Sequence, residues 1–481
     1  MSTTLIRKAS WVVAWDEAAG KHVYLNDADV AFEGNRVTHV GPAFAGTAEK
    51  VIDGSGRLVM PGLVNIHSHP LSEPLNKGWT DELGSPALGM SSLYEFMPIY
   101  RPDLEGTRAC ARTAVAELLL SGVTTLVDLS VGYEGWFEIL DESGIRPVVA
   151  PMYRSARWFT RNGSIVEYEW DDEAGHKAME EALALVDKAL AHPSGRFGGM
   201  VAPSQIDTCT PALIKASMAA ARERGVTMQI HAAQSMVEFN ELMRRHGMTA
   251  VQWLDSLEVL GEDTILGHGI FLDDYGVPHA PRTDDLARLK ATRTAVAHCP
   301  NVFQRRGISM RTVGRYLREG VRVGLGTDTY PHNMLEEMRT ALYVSRLMSG
   351  DPYDLRTSDI FDAATVGGAS ILKRGDIGRL SPGAKADIVM VDLELPSMKP
   401  MRDPLKSLIY AAAERAVRDV FVDGNQVVKD GRCLTIDVEE AAEGVHQAHL
   451  RAREQVKNLH WAGKSHWELV PSVYEIKGRS T

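Results

Sequence analysis

The stretch "VMPGLVNIHSHP", Val59 to Pro70, is an apolar run of the kind that fills a buried strand, and it ends in His67 and His69. Residues two apart in a strand point to the same face. The two imidazoles therefore leave one strand end together, aimed at one spot. A pair of surface histidines at a loop entrance and half of a metal site both satisfy this stretch alone. The rest of the chain decides between them.

Seven further apolar runs follow: Gly122–Leu129, Arg146–Tyr153, Met200–Asp207, Val226–Ala233, Asp263–Ile270, Thr294–Asn301 and Val321–Thr329. Helix-like patterns separate them, such as "TRACARTAVAELLLSG" and "PALIKASMAAARERG", the latter ending at Gly225 as a C-cap. Near-continuous Val/Ile/Leu runs alternating with helices indicate parallel strands buried on both faces. Eight such units in a row predict an α/β chain built on a (β/α)8 TIM barrel over residues 58–375. Outside it the pattern changes to alternating, strand-like positions with turn signals, in residues 1–57 and again in 376–437. These two flanking segments are expected to pair into one small β-sandwich domain. Residues 438–481 read as a helix followed by a Trp-containing tail.

Composition sets outer bounds. With 44% hydrophobic and 24% charged residues in 481, the chain is an ordinary globular protein. Its net charge of −11 is modest and its Lys and Arg are scattered, which disfavours nucleic acid and acidic membrane surfaces as partners. The N-terminus lacks a signal-peptide pattern, and no run approaches the ~20 apolar residues of a membrane span. Cys110, Cys209, Cys299 and Cys433 are far apart with no CxxC pair, so a reduced, cytoplasmic protein is expected. Asn162-Gly163-Ser164 is then a chance sequon.

Functional groups in such barrels sit at the C-terminal ends of strands. His67 and His69 end the first run, His231 the fifth, His268 the sixth and Asp328 the eighth. Any one alone would more often be structural, as expected for His246, His279 and His332. Five on one rim read instead as a metal site, because imidazoles with a carboxylate suit a borderline divalent ion with room for water.

These motifs resemble the amidohydrolase superfamily, in the branch of cytosine, guanine and S-adenosylhomocysteine deaminases and the triazine (atrazine) chlorohydrolases. The likeness covers nearly the whole chain: "PGLVNIHSH", "GVTTLVD", "GH", "AHCP", "GLGTD" and the closing "GAKADIVMVD". It implies one divalent metal per chain held by His67, His69, His231 and Asp328. Zn2+ is the expected ion, with Fe2+, Mn2+ or Co2+ as alternatives. Asp328 would move protons, and His268 would contact the attacking or developing oxygen. The implied activity is hydrolysis of a C–N bond other than a peptide bond, by deamination or amide/urea-type cleavage of a small nitrogen-rich heterocycle. A homodimer or larger homo-oligomer is expected.

Three departures from the branch stand out. Its usual H-x-x-E appears as His231-Ala232-Ala233-Gln234, and a carboxamide exchanges no proton at ordinary pH. Gln234 nevertheless joins His268 and Asp328 as a catalytic candidate. Ser204 stands where a substrate-binding histidine is common, and Val302-Phe303 replaces a Ser-Asn pair. Metal machinery kept while substrate-reading residues change fits a different substrate on one fold. Displacement of a leaving group from a triazine-like ring is therefore an alternative, and a metal-binding protein without catalysis a third. Trp79, Gln205 and Asn301 are candidate substrate contacts. For Trp79, Met90 and Phe96 an aromatic wall and lid packing are equal readings. Arg154, Arg157 and Trp158 follow the third run, where solvated arginines are the ordinary outcome and an anionic substrate the alternative.

Overall fold

The computed structural model describes residues 3–277 and 282–477. His279 lies outside the described residues. The eight apolar runs form parallel strands in chain order: Leu63–Ser68, Val123–Asp128, Arg146–Val149 with Met152–Tyr153, Gly198–Gly199 with Ala202–Pro203, Met228–Ala232, Thr264–His268, Ala295–His298 and Arg322–Leu325. Ladders join the first to the fourth and the fifth to the eighth. Parallel bridges Val201–Met228 and Gln205–His231 link the fourth to the fifth, and Ser68–Asp328 returns the eighth to the first. Pairing thus runs around a ring with no free edge. The third strand is interrupted at Pro151, which has no N–H to give to a ladder.

The expected helices are present as Leu104–Leu120 and Pro211–Glu223. Gly225 follows the second at φ 66°, the left-handed conformation that glycine adopts without penalty.

The opening run divides at Pro61-Gly62. Only Leu63–Ser68 enters the ring, whereas Arg57–Pro61 pairs antiparallel with Ile388–Asp392 in another sheet, so residues 58–61 lie outside the expected barrel. A side chain at Gly62 would meet Thr124 Oγ1 at 2.0 Å, so the chain crosses here only as glycine. That other sheet draws on both ends of the chain, in the order Arg432–Cys433, Asn425–Lys429, Val417–Val422, Ile388–Asp392, Arg57–Pro61, Thr3–Asp16, Lys21–Glu33, Arg36–Gly41. Where a sandwich of two sheets is expected, hydrogen bonding joins nine strands into one. The reason is the 14-residue strand Thr3–Asp16, which pairs with Lys50–Asp53 along its first half and Arg57–Pro61 along its second. A register shift between Ile6 and Ala9 separates the two halves. Its own buried core includes Ile6, Val12, Val30, Phe32, Met390 and Phe421.

Ring and sheet are pinned together by one buried ion-pair cluster. Arg146, on the third ring strand and 1% exposed, donates to both Asp387 carboxylate oxygens at 2.9 Å and to Asp423 Oδ1 at 2.8 Å. The C-terminal helix Val438–Leu459, capped by Asp437, lies against Leu104–Leu120. The two approach closely because small residues meet: a Cβ on Gly106 would sit 2.5 Å from Ala448 Cβ, and one on Gly444 2.7 Å from Ala109 Cβ.

Removing one partner of a buried pair leaves an uncompensated charge and costs about 3–5 kcal/mol. Arg146→Met, which strands Asp387 and leaves Asp423 with Lys385 alone, is therefore expected to lower unfolding free energy by about that amount. Denaturant titration checks it, and a loss below about 1 kcal/mol would show the cluster to be dispensable.

Candidate active site

The rim residues of the first and eighth strands meet because one seam holds those strands in register. Between the first and last strands, His69 N–H donates to Asp328 O at 2.9 Å and Asp328 N–H to His67 O at 2.9 Å. Beneath them Asn65 Nδ2 donates to Thr327 Oγ1 at 2.8 Å, both side chains fully buried. Gly326 is required there, since a Cβ would stand 2.5 Å from His67 Cβ and 3.0 Å from Cys299 Sγ. Asp328 itself has φ 55° and His268 φ 98°. Non-glycine residues in that region are costly and persist where the surroundings fix them, commonly at functional sites.

Each histidine of the first and fifth strands is oriented by its inner nitrogen. His67 Nδ1 donates to Gln229 Oε1 at 2.5 Å, His69 Nδ1 to Leu129 O at 2.7 Å and His231 Nδ1 to Ser204 O at 2.6 Å. Gln229 is itself fixed, its Nε2 donating to Ile66 O at 3.0 Å. With Nδ1–H used this way, each Nε2 carries a lone pair. These atoms converge: His69 Nε2 lies 3.1 Å from His231 Nε2, and Asp328 Oδ1 lies 3.4 Å from His69 Nε2 and 3.8 Å from His67 Nε2. His268 Nε2 is 3.6 Å from Asp328 Oδ2.

Burial, then the neighbouring imidazole of His69, pushes His67 down to about 3, so it is neutral near pH 7. Burial and adjacent histidines hold His231 and His268 well below their usual range. The buried His67 Nε2 has no hydrogen-bond partner. The Nε2 atoms of His67, His69 and His231 lie within reach of one ion, and Asp328 groups with His67, His268 and Cys299; imidazoles with a carboxylate suit a divalent ion with room for water. The donor set fits zinc.

A cavity of about 450 Å3 opens over this cluster. His69, His231, His268, Asp328, Ser204, Gln205 and Gln234 all line it. Gln234 presents an Nε2 that is buried and unpartnered, while its backbone N–H donates to Glu238 at 3.2 Å. Val302 and Phe303 also face the cavity, with Phe303 edge-on to His268 at 4.6 Å between ring centres.

Two candidate contacts are elsewhere. Trp79 is 2% exposed and does not line the cavity; it stacks between Tyr100 at 4.4 Å and His466 at 4.9 Å, packing that the C-terminal tail completes. Asn301 opens a short helix, its Oδ1 accepting from Thr340 Oγ1 at 2.5 Å and Gln304 Nε2 at 3.0 Å. It stands outside the cavity lining, as do Met90 and Phe96. The apolar wall comes instead from Leu93, Met97, Tyr100 and Trp158. His246 stacks on Trp253, and His332 is buried beside Glu117.

Sequence reasoning missed Glu73. It lines the cavity at 3% exposure, and burial, then the nearby Asp328, pushes its carboxyl up to about 7. Its position four residues after His69 was the available signal.

The amidohydrolase family model matches residues 58–427. A 5-methylthioadenosine/S-adenosylhomocysteine deaminase of Natronomonas pharaonis is 31% identical over 88% of this chain and 93% of its own. Among solved structures, a zinc-bound adenosine deaminase from Xanthomonas campestris superposes with TM-score 0.79 at 22% identity, covering 94% of this chain and 98% of its own. A zinc complex of atrazine chlorohydrolase from Arthrobacter aurescens gives 0.77 at 22% identity, covering 93% of this chain and 100% of its own.

Metal content tests the cluster directly. The double substitution His67→Ala/His69→Ala is expected to bring bound metal close to zero in a folded protein. Gln229→Leu, which only releases the His67 ring, is expected to weaken metal affinity about 10–100-fold, measured by chelator competition. Stoichiometric metal in the double variant would remove these residues from the site.

Proposed function

The chain belongs to the amidohydrolase family, and from that membership we propose that it is a metal-dependent deaminase of a purine-like, adenosine-derived heterocycle. It is a hydrolase of C–N bonds other than peptide bonds. The observation that carries the finer reading is the convergence of oriented imidazoles on Asp328 beneath a cavity with both apolar and polar walls. We read the strand ring as a (β/α)8 barrel over about 63–375, with the mixed sheet and the C-terminal helix as appendages. Its C-terminal strand ends then carry the chemistry.

In this reading His67, His69, His231 and Asp328 hold one divalent ion, zinc by the chemistry of the donor set. When bound, such an ion lowers a water's pKa toward ~7 and so supplies hydroxide at neutral pH. Asp328 accepts the water's proton and returns it to the departing nitrogen, acting as base and then acid. His268 contacts the oxygen that adds to the ring carbon as that carbon becomes tetrahedral. Gln234 donates its unpartnered Nε2–H to a ring acceptor and so orients the heterocycle without protonating it. Phe303, Trp158 and Tyr100 give a planar ring an apolar seat and exclude water.

Displacement of a leaving group on a triazine-like ring is supported by likeness of fold alone, at 22% identity. A metal-binding protein without catalysis is disfavoured by membership of a hydrolase family.

Asp328→Asn is expected to retain part of the metal and lose ~10²–10⁴-fold in kcat. Ammonia release from a panel of aminopurine nucleosides, aminopyrimidines and aminotriazines measures it, with chloride release from chlorotriazines as the second readout. Ammonia from none of the panel, or near wild-type kcat in the variant, would refute the reading.

A further inference from the structure

Three arginines line the cavity: Arg101, Arg154 and Arg306. Their sequence neighbours show the ordinary fate of an arginine in this protein. Arg157 is solvated and paired with Glu169 at 2.7 Å, and Arg305 is paired with Asp81 at 3.0 Å. Arg154 and Arg306 instead turn toward the cavity, and Arg101 joins them from the loop after Tyr100. Among the described residues, none of the three has a carboxylate within ion-pair distance or a side-chain hydrogen bond. Arg154 has only the face of the Trp158 ring, 5.9 Å from its guanidinium carbon. The Nε of Arg306 is buried without any partner.

The charges inside do not balance. Against three guanidinium groups the lining offers two carboxyls, Glu73 and Asp328, leaving one net positive charge before any metal is counted. Burial, then Arg101, holds Arg154 below the usual guanidinium range, and burial, then Arg157, does the same to Arg101. Like charges placed together in a partly desolvated wall are costly unless something negative enters with them. Arginine's planar fork matches a carboxylate or phosphate and is strongest in a low-dielectric setting.

We propose that the substrate carries an anionic group, a carboxylate or a phosphate, which Arg101 and Arg154 bind at the more exposed end of the cavity, with Arg306 adding positive potential nearer the histidines. The heterocycle then lies toward the Asp328 end and the anion toward the Arg101 end. This rests on the cavity being the substrate site of the hydrolase proposed above.

Two measurements on the metal-loaded protein test it. The first needs no turnover: calorimetric titration with inorganic phosphate, comparing wild type with Arg101→Met/Arg154→Met and with Arg101→Lys/Arg154→Lys. The methionine pair should weaken binding tenfold or more and the lysine pair less, with melting temperature and metal content unchanged. Phosphate binding that is absent in the wild type, or equal in all three proteins as a metal-bound ion would be, overturns the proposal. The second compares kcat/KM for 5′-deoxyadenosine with that for adenosine-5′-carboxylate and adenosine 5′-monophosphate. At least one anionic compound should exceed the neutral one tenfold or more, with the excess lost in the methionine pair; which of the two does so separates carboxylate from phosphate. Equal values, unchanged by the substitutions, also overturn it. Turnover of none of the three, with phosphate binding lost in the methionine pair, refutes the deaminase reading and leaves the anion site standing.

Discussion

Everything at the rim depends on the seam where the eighth strand returns to the first. Asn65, Thr327 and the paired backbone of His67, His69 and Asp328 hold one register there. A strand slipped by one residue turns every side chain to the opposite face. Such a slip would carry Asp328 away from both histidines and leave Asn65 and Thr327 buried without partners. The seam is therefore specified twice, by buried hydrogen bonds and by Gly326, whose missing side chain is the only way to bring the two backbones so near.

Closing the ring also collects groups that repel water poorly and one another strongly. Four imidazoles, a carboxylate and a thiol lie together, all buried except the half-buried His69. Burial keeps His67, His231 and His268 neutral, which removes mutual repulsion among them. The inner nitrogens of His67, His69 and His231 are satisfied by protein, so their unsatisfied capacity faces one point, while His268 Nδ1 is buried without a partner.

Much of this was legible from spacing. The two-residue interval between His67 and His69 places both on one strand face, and His231, His268 and Asp328 each close an apolar run. Pairings across long separations were not legible. The run from Leu58 to Ile66 reads as one strand because both halves are buried; only Ile388–Asp392, over 300 residues on, claims the first half. Trp79 has the size and polarity of a substrate wall, yet its partners Tyr100 and His466 turn it into core. Asn301 closes an apolar run as an active-site residue would, but the strand stops at His298 and Asn301 lies in the helix after it, its Oδ1 taken by Thr340 and Gln304. Glu73, one turn past His69, carries no motif, and its environment comes wholly from residues brought there by folding.

The arm after residue 437 gives the molecule an order of completion. His466 closes the stack on Trp79 and Tyr100, and Trp461 donates to Glu95 at 2.7 Å, so the loop carrying Tyr100 and Arg101 is propped by a segment that emerges after both the ring and the mixed sheet. The rim histidines and Asp328 need none of it. During synthesis the ring closes once the eighth strand has emerged, while one wall of the cavity waits for the C-terminal arm. A chain cut short after the mixed sheet would keep its metal-binding cluster and lose the shape that chooses what reaches it. One wall of the cavity and the histidine cluster beneath it are thus supported by separate stretches of one sequence, free to change at different rates.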